Sequence, residues 1–252
     1  MSAIKPLLLG AWLAWASVAV SARADDAVAT PPVQITALRN AGTLDYGAYY
    51  ALQRKLLGYM PPDHAHVQPF LRLSFTDLTA DQQDGYEPAD WAVAVVSDSS
   101  DHPVASLRGG YFVLPNLPLP EGETASILFN ARTKAHFLAV AWSIPPDVWP
   151  RLDVAAVRAA LRELHATQAN IPWYALGLRT EKYDSPDLLK VCFDGAGTVG
   201  LGDRRYASRD SGCALVPLRD LDAAATPALA LVLDGRLSFV SLGHSTGYGL
   251  AP

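Results

Sequence analysis

The residues best suited to chemistry form one short run, Asp63-His64-Ala65-His66. Side chains alternate along an extended segment, so His64 and His66 project to the same side. Such a pair with an adjacent carboxylate supplies two or three ligands of the kind that zinc or copper takes. Spacing singles out no further ligand; His102 and His244 qualify only as loop histidines, and the alternative is a solvated polar loop after Pro62. Gly195-Ala196-Gly197-Thr198-Val199-Gly200 matches G-x-G-x-x-G. A dinucleotide site needs a helix to open there and bring its N–H groups to the pyrophosphate. The continuation, Leu201-Gly202-Asp203-Arg204-Arg205, has no apolar helical period, so the run reads as a glycine-rich turn. Glu121-Gly122-Glu123 lies in a Pro-flanked turn, and Asp81, Asp84, Glu87 and Asp90 make an acidic loop without EF-hand order. Carboxylates do acid–base work when one of them is desolvated, and both groups read as wet.

Further runs resemble two known families. Arg209-Asp210-Ser211-Gly212-Cys213 resembles the nucleophile loop of trypsin-like serine proteases, and Thr133-Lys134-Ala135-His136 resembles their histidine segment. The resemblance implies a Ser/His/Asp hydrolase. The chain departs from it where Arg209 replaces the glycine of the oxyanion loop and Cys213-Ala214 replaces Gly-Pro, and the His-to-Ser interval is short for two barrels. No G-x-S-x-G elbow supports the other common hydrolase. His102-Pro103-Val104 followed by Gly110-Tyr111-Phe112-Val113-Leu114-Pro115 is similar to the strand–turn–strand signature of carboxypeptidase-regulatory-like, transthyretin-type β-sandwiches. That resemblance implies a sandwich and carries no function.

The chain has two cysteines, Cys192 and Cys213, and an isolated pair in an oxidising compartment reads as a disulfide. The compartment follows from the N-terminus. Lys5 is a short positive region, Pro6–Val20 is nearly all apolar, and Ala22-Arg23-Ala24 is a cleavage pattern. The apolar run is about fifteen residues, short of the roughly twenty that span a bilayer. Cleavage after Ala24 removes Lys5 and Arg23 and no acid, leaving 18 basic residues against 25 acidic and a net charge of −7. Scattered acidity argues against nucleic acid or anionic lipid as the main partner, and no later stretch predicts a transmembrane anchor.

The elements that must position these groups are mainly strands. The domain plan is a signal peptide over 1–24, a flexible leader over 25–43, and an N-terminal helix plus β-rich block over 44–145. A Pro-rich connection and helix follow over 146–172, then a C-terminal β block with the disulfide and a mobile tail over 173–252. Aromatic and leucine spacing predicts a helix at about 44–58, ended by Gly58 and Pro61-Pro62. Asp153 caps a second, at about 153–169, with Val154, Val157, Leu161 and Leu164 on one stripe. Leu71, Leu73 and Phe75 alternate with Arg72 and Ser74 as in a half-buried strand, while Trp91–Val96 and Phe137–Trp142 read as central strands. Leu188–Phe193 leads into a turn from which Thr198–Leu201 pairs back, and Leu229–Leu233, Asp234-Gly235, Leu237–Leu242 reads as a hairpin. The fold class is therefore mainly β with α, an α+β arrangement of antiparallel sandwich-like sheets with one central and one N-terminal helix.

No catalytic constellation emerges, and the expected role is an exported, non-enzymatic binding or interaction module of the cell envelope, periplasmic or secreted. Its partner is an envelope protein or a small ligand, and Trp149, Trp173 and Tyr174 among prolines form a candidate binding patch. The alternatives are a periplasmic hydrolase or metal-dependent enzyme built on His64 and His66, or a structural subunit that uses an edge strand.

Overall fold

The structure, a computed structural model, describes residues 42–86, 92–130, 136–172, 185–223 and 229–249. The signal peptide, most of the leader, Trp91, Thr133–Ala135, Trp173 and Tyr174 lie outside the described residues. The fold is mainly β, with four α-helices and three antiparallel sheets among the described residues.

In chain order, β1 (Gly42–Asp45) runs into α1 (Tyr46–Tyr59), so regular structure begins inside the stretch read as leader. Then come β2 (Gln68–Phe75), α2 (Ala80–Asp84), β3 (Ala92–Ser97), β4 (Asp101–Val104), β5 (Ser106–Leu107), β6 (Tyr111–Phe112), β7 (Ala125–Asn130) and β8 (His136–Ser143). Helix α3 (Val154–Asn170) precedes β9 (Leu188–Phe193), β10 (Thr198–Leu201), β11 (Arg204–Ala207), β12 (Cys213–Pro217), α4 (Leu218–Asp222), β13 (Val232–Asp234) and β14 (Leu237–Gly243). The expected caps form: Asp153 accepts from the Ala156 N–H at 2.7 Å, and Asp45 does the same for Ala48.

A seven-stranded sheet, in the order β12-β9-β14-β8-β2-β6-β5, draws strands from both the N- and C-terminal blocks and joins them. Alternation gives it an apolar face. At one end Leu71, Leu73 and Phe75 of that face pack on Val93, Val95, Ile127 and Phe129 of the four-stranded sheet β1-β7-β3-β4, which makes a sandwich. At the other end Trp142, Leu189, Val191 and Val240 meet Val154, Val157, Ala160 and Leu164 of α3. The opposite face carries Arg72, Lys190 and the small cluster of Tyr111, Cys192, Cys213 and Phe239. Cys192 and Cys213 pair across β9 and β12 and form the expected disulfide.

Two strand pairings differ from the sequence reading. The Asp234-Gly235 turn does not close a hairpin: β13 pairs with β10 in the three-stranded sheet β11-β10-β13, while β14 pairs with β9 and β8. Likewise β10 pairs with β11 and β13 rather than with β9. The physical arrangement is a bent ribbon. β9 continued by β10 lies antiparallel to β13 continued by β14, and both strands turn a corner together, where the Asp194 N–H donates to Arg236 O at 2.8 Å. Gly235 allows the corner: it has φ 125°, and a Cβ there would stand 2.8 Å from the Phe193 ring. The short-range hairpin signal thus marks a change of sheet.

Candidate functional site

Ionisable side chains from five separate segments meet above the polar face of the large sheet. Asp84, the last residue of α2, has a side chain with no exposed surface. Its Oδ1 accepts from Arg72 Nη2 of β2 and Lys190 Nζ of β9, each at 2.6 Å, and its Oδ2 accepts from the Tyr248 hydroxyl at 2.5 Å. Lys190 Nζ also donates to Tyr111 OH at 2.7 Å. The Arg72 guanidinium donates from Nε to Gly109 O at 3.0 Å and lies 4.6 Å from the centroid of the Tyr111 ring.

Local chemistry fixes each group. Thr79 and Gln82 form a reciprocal capping box that starts α2. Buried Gln83 then pins that short helix to the sheet, accepting from Phe75 N and donating to Leu73 O and Gly109 O. Gly110 sits at φ 87° so tightly against β2 that a Cβ would overlap the Leu73 carbonyl. On the other side Asp187 accepts from the backbone N–H and the hydroxyl of Ser245, which anchors the 3-10 turn Ser245–Tyr248 and delivers Tyr248. This segment was expected to be part of a mobile tail; Ser245 is buried and its turn packs on α2.

Electrostatics hold the cluster in one protonation state at neutral pH. Burial penalises the Asp84 charge, but Lys190 and Arg72 outweigh burial and keep its carboxyl below the ordinary range. Burial likewise opposes the Lys190 charge, and Asp84 overrides it and raises the ammonium above its ordinary value. Tyr248 is pushed up by burial and by the adjacent Asp84 charge, so its phenol stays neutral. Two cations thus share one carboxylate.

Beside this cluster the sheet opens. β14 pairs with β8 at Ser241 and Leu242 and departs after Gly243, whereas β8 extends back to His136. The opening is a cavity of about 410 Å³ lined from both faces of the sheet. Its polar end presents Arg72, Lys190, Tyr111 and Tyr248, with Ser74, His244 and Thr246 nearby; its apolar end is Val140, Trp142, Leu164 and Leu242. Among the described residues no Asp or Glu lines it, because Asp84 lies behind the two cations. Trp142 is 6% exposed, and its Nε1–H has no hydrogen-bond partner.

The residues singled out by sequence lie elsewhere. His66 Nδ1 is 2.7 Å from Glu163 Oε1 of α3, and that carboxylate also accepts from the N–H groups of Ala65, His66 and Val67. His64 Nδ1 is 2.7 Å from Pro61 O. Among the described residues no three His, Cys, Asp or Glu side chains are grouped to hold a metal, and Asp63 joins no such group. Trp149 donates from Nε1 to Ile144 O at 2.8 Å and packs on the core beside α3. Of the protease-like loop, the Ser211 hydroxyl donates to Asp81 at 2.9 Å, and Arg209 approaches the same carboxylate at 3.3 Å. Glu123 caps Ser99 in a wet turn.

Three members of the central cluster escaped the sequence reading. Lys190 stood in plain view as the one charge inside Leu188–Phe193, a strand buried along its whole length. Arg72 sat on the parity assigned to solvent, and Asp84 in a loop read as wet; the Thr79–Gln82 capping signature was the available clue that this loop is a helix. Comparison with known proteins gives no match to a family model, a curated protein or a solved structure.

Proposed function

We propose that this protein is a non-enzymatic binding module that holds a small ligand in the cavity beside Lys190 and Trp142. The observation that supports this reading is the pairing of an apolar chamber with a few fixed, fully ionised donors at one end, the arrangement by which small-molecule sites gain affinity from one part and orientation from another. The protonation states support binding over turnover. A general acid or base works best with a pKa near the operating pH, and the Asp84, Lys190, Arg72 and Tyr248 shifts all lead away from neutrality.

The proposal includes export: a signal peptide ending at Ala24 delivers the chain to the periplasm or outside, which agrees with the Cys192–Cys213 disulfide. No described helix is long and apolar enough to cross a membrane. The partner in this reading is a small ligand rather than nucleic acid.

The test is a panel of neutral, cationic and anionic small molecules read by the Trp142 indole cross-peak in ¹H–¹⁵N spectra, with Trp142→Phe to assign it. At least one compound shifts that peak at sub-millimolar concentration, and Ala139→Phe, which fills the cavity from its wall, abolishes the shift. Silence across the panel, or equal binding to folded Ala139→Phe, overturns the reading.

A further inference from the structure

We propose that the ligand is a small organic monoanion, a carboxylate carried on a short apolar chain; this rests on the binding reading above and adds the ligand's charge and shape. Three observations converge on it. The first is charge balance. Lys190 is 4% exposed and shares Asp84 with Arg72, so the cluster carries one positive charge more than its carboxylate neutralises. An uncompensated charge away from water is costly, and a monoanion brings the sum to zero, whereas a cation adds repulsion. Among the described residues, the nearby acids are turned elsewhere, Asp187 to Ser245 and Asp81 to Ser211 and Arg209.

The second observation is the donor inventory. Lys190 has three N–H groups, of which Asp84 and Tyr111 take two. The third N–H is left for an acceptor in the cavity, whose wall includes Lys190. An ammonium N–H is a donor only and an ionised carboxylate an acceptor only, so the ligand class supplies what the wall lacks. The third is shape. Past Trp142 the walls are Val140, Leu164 and Leu242, and the volume has room for roughly a dozen non-hydrogen atoms at liquid-like density. A carboxylate head at Lys190 and Arg72 then leaves its chain among apolar groups on the other face of the sheet.

The probes are octanoate, octanol, octylamine and acetate, titrated by calorimetry into the exported protein with its disulfide intact, with the Trp142 indole signal reporting the site. Octanoate binds at least tenfold more tightly than octanol and than acetate, and octylamine does not bind. Lys190→Met lowers octanoate affinity at least tenfold and leaves octanol unchanged. Thr246→Glu, an exposed substitution at the cavity rim, provides a second variant should Lys190→Met fail to fold; it abolishes octanoate binding. If octanol or octylamine shifts Trp142 as strongly as octanoate, the anion assignment is overturned while the binding reading stands. If none of the four moves the Trp142 signal, the anion assignment falls, and the broader panel decides the binding reading by itself.

Discussion

The two-cations-to-one-carboxylate count makes a quantitative claim about stability that does not depend on any ligand. Asp84→Asn keeps the volume and removes the charge that Lys190 and Arg72 share. Two buried cations then face each other without a counterion, and breaking a buried pair in this way costs about 3–5 kcal/mol. Lys190→Met is a different perturbation at the same place. It keeps the length of the stem and leaves Arg72 and Asp84 as a balanced pair, so its cost is that of the lost charge-assisted hydrogen bonds, about 1.5–3 kcal/mol. Asp84→Asn is therefore the more damaging change, although it is the smaller one sterically. Urea unfolding of the ligand-free protein measures both.

The pH dependence carries the same signature. The Asp84 carboxyl is depressed in the folded protein, so its contribution is complete above the unfolded carboxyl value of about 3.9 and disappears as pH falls through the lower folded value. The Lys190 ammonium is raised, so its contribution is complete below the unfolded lysine value of about 10.4 and is lost as pH rises through the higher folded one. The gap between wild type and Asp84→Asn is thus widest between about pH 5 and pH 9 and narrows on acidification. Lys190→Met costing as much as Asp84→Asn, or an Asp84→Asn loss below about 1 kcal/mol, would falsify the charge count.

Other predictions follow from single contacts. Replacing Cys192 and Cys213 by Ala lowers stability by about 3 kcal/mol in chemical unfolding, since the bridge closes a loop of 21-residue separation. Glu163→Ala releases the Ala65–Val67 loop from its carboxylate and costs about 1–3 kcal/mol by thermal unfolding. Because hydrogen bonds from His66 and from the Ala65–Val67 loop hold the Glu163 carboxyl below its ordinary range despite partial burial, that difference is present at neutral pH and fades as pH drops below about 4.3. Gly110→Ala forces a Cβ onto the Leu73 carbonyl at a positive φ and lowers the melting temperature; an unchanged melting temperature would show that α2 is not clamped to β2. Mass spectrometry of the exported protein finds Asp25 at its N-terminus; a retained Lys5 would remove the signal-peptide assignment.

What was legible in the sequence was whatever repeats locally. Helix α3 announced itself through a cap and a stripe, β2 through alternation, and the disulfide through an isolated pair. The bent ribbon was not legible, because Asp234-Gly235 satisfies the local rule for a hairpin while the partner of each flanking strand is decided by residues about forty positions away, in Leu188–Leu201. The charged cluster was hidden for the same reason. Alternation assigns Arg72 to the face opposite Leu71 and Leu73, but it says nothing about what covers that face. Here the cover is α2 and the turn that carries Tyr248, brought in from the two sides by Gln83 and Asp187.

That cover also borders the opening beside the charged cluster. A sheet this wide would normally continue β14 alongside β8 and bury its own polar backbone. Instead β14 departs at Gly243, and the vacated length of β8 becomes one wall of the cavity. The charge that would be unwelcome inside an ordinary sheet, Lys190, sits directly at this opening, tied on one side to Asp84 and still holding a donor for the other. A purely structural role would be served better by apolar residues, since replacing buried ion pairs by packed hydrophobic side chains is often neutral or stabilising. Two cations sharing one carboxylate beside an open chamber fit the proposed binding role, in which the remaining charge and the remaining Lys190 donor are completed by something that enters.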